Sequence, residues 1–215
     1  MRDETVGGWL DALASASFPP GAGAAAAMNA AVGAALVSMV CNLSIGHPKC
    51  AAHASDLVAA QAAAEDLRST ALGLAADDAA AFGAVLAAHR LPGTTASGTR
   101  SRAAAVQAAL TAATVVPLRT ARTAAEVIRL ARGLIAVARA DVVADLAVAA
   151  SSARAALDTA ALIAEANLSG IADTEHRSAA RLQLVRSLEA VAESEAITAE
   201  IRARYTRRKP PVTPV

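Results

Sequence analysis

Residues 12–48 contain no Asp, Glu, Lys or Arg, and most of that run is Ala, Gly, Ser and Val. A charge-free stretch of this length belongs inside a folded protein or inside a bilayer. It is long enough to span, but it carries Asn29 and Asn42, is short of Leu, Ile and Phe, and lacks the aromatic belt of a good insertion sequence. The expectation is therefore a helix at the centre of a soluble bundle, apolar all round. Gly23, Ala27, Ala31 and Ala35 are spaced along it so that neighbouring backbones can approach closely. Composition agrees. Aromatic residues make up 2% of the 215, with one Trp, one Tyr and two Phe, which is too few to furnish the half-buried pleats of an all-β fold. Ala and Leu favour helices, so the fold class is all-α.

Charge and cysteine content narrow the partners. Twenty basic against nineteen acidic side chains leave a formal net charge of +1, too balanced for a protein devoted to nucleic-acid phosphates. Cys41 and Cys50 show neither paired metal-ligand spacing nor the density of a disulfide framework. The start of the chain has mixed charge and no apolar h-region. A cytoplasmic setting without metal, membrane or nucleic acid is the expectation.

Breakers set the organisation. Pro19-Pro20-Gly21 separates a short helix over 5–16 from the charge-free one, which Gly46-His47-Pro48 ends. Helices then follow over 51–89, from 101 to about 136 with Pro117 forcing a kink or restart, over 141–168, and over 173–204, with a polar loop at 94–98. This makes one domain, 1–206, an antiparallel bundle of six or seven helices. The basic, Pro-rich tail 207–215 is expected to be a solvated end. Many small apolar faces on a chain this size call for a symmetric partner.

Against helix periodicity, a few polar residues fall on apolar faces. Asp78 has Ala71, Leu74, Ala75, Ala81, Phe82 and Val85 as its helical neighbours. A carboxylate there must be paired, hydrogen-bonded to a neighbouring helix end, or held protonated by a raised pKa, and the last condition suits a general acid/base. Asp77 points about a hundred degrees away, toward solvent. Asp145, Asn29, Asn42 and Asn167 sit on similar faces. His47, His53, His89 and His176 lie near helix ends, and none completes a nucleophilic or metal set. Pro20-Gly21-Ala22-Gly23 lacks the Lys-Ser/Thr of a P-loop, yet it offers backbone amides at the start of the charge-free helix.

These segments together, over residues 8–200, resemble the cyclodeaminase/cyclohydrolase family, which includes the C-terminal domain of formiminotransferase-cyclodeaminase and bacterial methenyltetrahydrofolate cyclohydrolases. The resemblance is carried by Trp9-Leu10, by Pro20-Gly21-Ala22-Gly23-Ala24, by the run from Gly33-Ala34-Ala35 to Cys41-Asn42-Leu43-Ser44-Ile45-Gly46, and by Asp78-Ala79-Ala80-Ala81-Phe82. Val116-Pro117-Leu118, Asp145-Leu146 and Asn167-Leu168 extend it. It implies a homodimeric helical bundle that binds a reduced folate between helices and works on its one-carbon bridge by proton transfer, with no metal or redox cofactor. Asp78 falls on the family's acid/base. Asp145 is then a second catalytic candidate, and Pro20, Gly21, Ala22, Gly23, Asn42 and Asn167 are substrate-binding candidates. The departures are polar-to-apolar: Ala24 stands for the turn's Ser, Ala144 for the Ser before Asp145, and Ile163 for an Asn.

Three functions follow as expectations. The first is a cyclohydrolase or cyclodeaminase acting on tetrahydrofolate derivatives. The second is a relative repurposed for C–N ring closure, ring opening or dehydration on a non-folate substrate. The third is a non-catalytic helical oligomer, disfavoured because a carboxylate on an apolar stripe is costly without a use.

Overall fold

The computed structural model describes residues 4–16 and 19–206, and among these every regular element is helical. α1 covers Val6–Ala14, α2 Ala22–Ser44, α3 Ala54–His89, α4 Ala96–Leu134, α5 Val143–Ser169, α6 Thr174–Leu188 and α7 Ala190–Thr206. A 310 helix, Pro48–His53, joins α2 to α3. The tail 207–215 lies outside the described residues.

α2 packs most heavily on α3 and α5, α4 packs on both of those, and α6 and α7 cover the outer sides of α4 and α5. Small residues make this possible. Ala26, Ala27, Ala30, Ala31 and Ala34 of α2 are buried, and a Cβ on Gly33 would lie 2.9 Å from the Ala149 carbonyl oxygen of α5. The core beneath is branched aliphatic, with Val37, Val40, Leu57, Val127, Ile128, Leu146 and Leu157 closed to solvent. Removing such side chains from water is the main drive for this packing.

Helix ends follow local chemistry. The Thr5 hydroxyl accepts from the Gly8 N–H, Thr95 from Gly98, and the Asp173 carboxylate from Glu175 and His176. Gly46 turns the chain after α2 at φ +79, a conformation that disfavours any side chain. The Ser44 hydroxyl accepts from the Arg139 N–H at 3.0 Å, and the Arg139 guanidinium donates to the Leu43 carbonyl at 3.3 Å, so the 138–141 turn is tied to the end of α2.

Three expectations are corrected. α4 runs unbroken through the buried Pro117 and begins five residues early, at Ala96, because Thr95 supplies a cap. Within it the Thr114 and Thr120 hydroxyls donate back to the carbonyls of Leu110 and Val116, four residues earlier. The last helix divides at Glu189, where neither Pro nor Gly signals a break. α2 is not buried all round: α3, α4 and α5 cover three sides, and Val32, Ala35, Met39, Asn42 and Leu43 face outward. By length and composition alone α2, α5 and the segment Pro48–His89 could cross a membrane; here each packs into the bundle.

Candidate active site

Asp78 lies two-thirds of the way along α3, where the antiparallel course of α2 and α3 brings it to the first turn of α2. Its carboxylate presses on Gly23: a Cβ there would fall 1.9 Å from Asp78 Oδ1. No residue but glycine fits beneath that carboxylate. The Ala24 backbone N–H donates to it, which uses one of the free donors at the helix start. Burial pushes the Asp78 carboxyl above its ordinary 3.8, and the Ala24 hydrogen bond opposes this. Trp9, Ala24, Ala27, Leu74 and Ala75 form a small buried cluster under this end and hold α1, α2 and α3 together.

A cavity of about 270 Å³ opens over the carboxylate, lined by Pro19, Gly21, Ala22, Gly23, Asp78, Ala79, Phe82, Ile163 and Asn167. It brings together Asp78, the glycine turn and Asn167, as expected from the sequence. Pro19, not Pro20, lines it. Phe82 sits one turn beyond Asp78 and Ile163 one turn before Asn167; the i, i+4 spacing is the signal by which both join the site. Asp77, on the other side of α3, is exposed and faces Arg119 at 3.5 Å. Among the described residues no group of three or more His, Cys, Asp or Glu is arranged to hold a metal ion.

Two candidates lie elsewhere. Asn42 is exposed near the far end of α2, about 28 Å along the helix from Gly23; the apolar face it was assigned to is the uncovered one. Asp145 is half-buried in the first turn of α5, about 33 Å along that helix from Asn167. Asn29 is half-buried in mid-α2. Beyond the end of α2 a second cleft, of about 580 Å³, is lined by His47, Lys49, Cys50, His53 and the 136–141 turn. There Arg139 and Asp141 pair closely, which holds the Asp141 carboxyl down to about 2.

A helical bundle that holds a single carboxylate against the glycine start of its central helix, at the mouth of a small apolar cavity, has the elements that proton exchange with a bound organic molecule would require. The chain belongs to the formiminotransferase-cyclodeaminase family, whose sequence model matches residues 5–186. A methenyltetrahydrofolate cyclohydrolase of Methylorubrum extorquens is 45% identical over 171 residues, 80% of this chain and 82% of that protein. The crystal structure of formiminotetrahydrofolate cyclodeaminase from Thermotoga maritima shares the fold, with a TM-score of 0.80 at 21% identity over 94% of this chain and 96% of that one.

Proposed function

We propose that this chain is a methenyltetrahydrofolate cyclohydrolase, working as a homodimer, with Asp78 as its general acid/base. The substrate is carried by the 45% identity to a cyclohydrolase over most of both chains; the chemistry is carried by Asp78 over Gly23 in a cavity of ring size. In this reaction water attacks the methenyl carbon between N5 and N10. The Asp78 carboxylate takes a proton from that water as the C–O bond forms. The tetrahedral carbon then collapses: its C–N5 bond breaks, Asp78 returns the proton to N5, and the hydroxyl loses its proton to solvent as the formyl group forms. One proton is released per turnover. The first step needs the carboxylate ionised and the second needs it protonated, so a carboxyl whose pKa is raised by burial serves both better than an exposed one. The apolar walls, Phe82 and Ile163, keep other water away, and Asn167 offers an amide to ring nitrogens and oxygens. No step calls for a metal or redox cofactor.

The test is direct. Purified protein is given 5,10-methenyltetrahydrofolate, and loss of the methenyl absorbance is compared with uncatalysed hydrolysis. Ammonia release from 5-formiminotetrahydrofolate is measured in parallel. Acceleration of the first reaction is expected. Acceleration of the second alone makes the chain a cyclodeaminase. Neither reaction, with no tetrahydrofolate binding, leaves the repurposed relative acting on a non-folate substrate, a reading that Ile163 in the cavity wall favours over a polar contact.

A further inference from the structure

The groove between α4 and α6 concentrates positive charge in a chain that is balanced overall at +1. Its volume of about 600 Å³ is that of a site for a small organic molecule. Four guanidiniums line it, those of Arg119, Arg122, Arg129 and Arg186, against one carboxylate, Glu126. Arg119 reaches Asp77 of α3 at 3.5 Å and Arg122 reaches Glu126 at 3.9 Å; pairs this long and this exposed hold their cations weakly. Arg129 borders a neighbouring hollow that contains Asp66. Arg186 has no carboxylate partner among the described residues.

The register of the two helices sets these cations against each other. The Gln107 side chain donates to the Gly170 carbonyl at 2.8 Å and accepts from the Ala172 N–H at 2.7 Å, which fixes the start of α6 beside that part of α4. Ala180 then packs in one cluster with Leu110 and Leu118, so the helices run on in parallel. With equal rise, residue i of α4 lies level with about residue i + 64 of α6. Arg186 therefore stands across the groove from Arg122, and two facing guanidiniums repel unless an anion lies between them. The other end is apolar, with Val115, Leu118, Ala179 and Ala180. There Nε2 of His176 is closed to solvent and has no hydrogen-bond partner, a polar atom that a ligand group can satisfy.

We infer that this groove is a second binding site, for an organic phosphate: the phosphate groups lie between Arg122 and Arg186 with Arg119 alongside, and the apolar body rests on Val115, Leu118 and Ala180. The two walls select the anion. A planar carboxylate presents both oxygens along one edge and suits one guanidinium fork, whereas a tetrahedral phosphate carries acceptors toward both walls at once. The apolar end selects an organic ligand over a bare ion, because a ring laid there takes the exposed parts of Val115 and Leu118 out of water. The groove shares no lining residue with the Asp78 cavity, and the inference does not rest on the folate reading above.

Isothermal titration of the purified protein with ADP, without magnesium, tests this. One saturable site per chain is expected, with pyrophosphate and citrate each binding several times more weakly. Arg122→Gln/Arg186→Gln should weaken ADP by about tenfold or more without lowering the melting temperature, since both side chains are exposed. Arg100→Gln/Arg202→Gln makes the same charge change at exposed positions outside the groove and should leave ADP binding unchanged. Val115 is 48% exposed, so Val115→Ser should fold, weaken ADP and leave pyrophosphate as it was. Absence of saturable ADP binding at millimolar concentration, or equal losses in the two double variants, overturns the site. Pyrophosphate or citrate binding as tightly as ADP overturns the organic phosphate as its ligand, and a Val115→Ser protein that binds ADP like the wild type overturns the seat for its body.

Discussion

Asp78 carries two separable consequences, one kinetic and one of stability. Asp78→Asn keeps the shape and an oxygen to accept from the Ala24 N–H but cannot exchange a proton, so turnover should fall by about two to four orders of magnitude. The stability effect has the opposite sign. Because burial raises the carboxyl above 3.8, the native state keeps this proton to higher pH than the unfolded chain does. Wild-type stability is therefore drawn down as pH rises from 3.8 through the raised value. Asn does not titrate, so the variant's melting temperature should gain on the wild type as pH rises from 3.8 through the raised pKa of the native carboxyl. A variant that melts lower at neutral pH with turnover retained would make the carboxylate a helix-end contact and nothing more. Gly23→Ala probes the same contact from below. Its Cβ, 1.9 Å from Oδ1, must push the carboxylate aside, so its rate loss and that of Asp78→Asn should fail to add in the double variant. Rate losses that multiply would show two independent roles.

Elements in this fold are held by backbone proximity as much as by side-chain volume. The crossing of α2 over α5 depends on Gly33, where a Cβ would meet a carbonyl oxygen at 2.9 Å and Val127 Cγ1 at 3.2 Å. Main chain cannot swing away as a side-chain tip can, so Gly33→Ala should cost about 1–3 kcal/mol of overpacking, more than the roughly 1 kcal/mol gained in helix propensity. Gly73, exposed in the middle of α3 with nothing within 4 Å of its would-be Cβ, is the matched control. Gly73→Ala should be stabilising by about 0.5–1 kcal/mol. Denaturant titration of both variants separates packing from propensity; equal shifts of the same sign would refute the close-approach account. The same dependence on context explains Pro117. Its missing N–H and its ring would break an isolated helix, but α4 is clamped on both sides by α3 and α5, and packing carries the helix through.

At the scale of the molecule, the chain's pattern and its packing decided different things. Ala-rich periodicity, the scarcity of aromatic residues and the breakers at Pro20, Gly46, Pro92 and Gly170 determined an all-helical bundle, because helix propensity and turn chemistry are local. Asp78 was legible for a related reason: seven residues of known spacing suffice to put a carboxylate on an apolar stripe. The pairing of Asp78 with Gly23 and Asn167 was legible only through the family resemblance, since it joins residues 55 and 89 positions apart. The break at Glu189 was illegible, for no local residue causes it. So were the placements of Asn42 and Asp145 far from Asp78 and the open face of α2. Periodicity tells which residues share a face of one helix, but which face is covered, and by what, depends on how long antiparallel helices are laid side by side. A residue near one end of a helix about 34 Å long and a residue near its other end share a stripe without sharing a site.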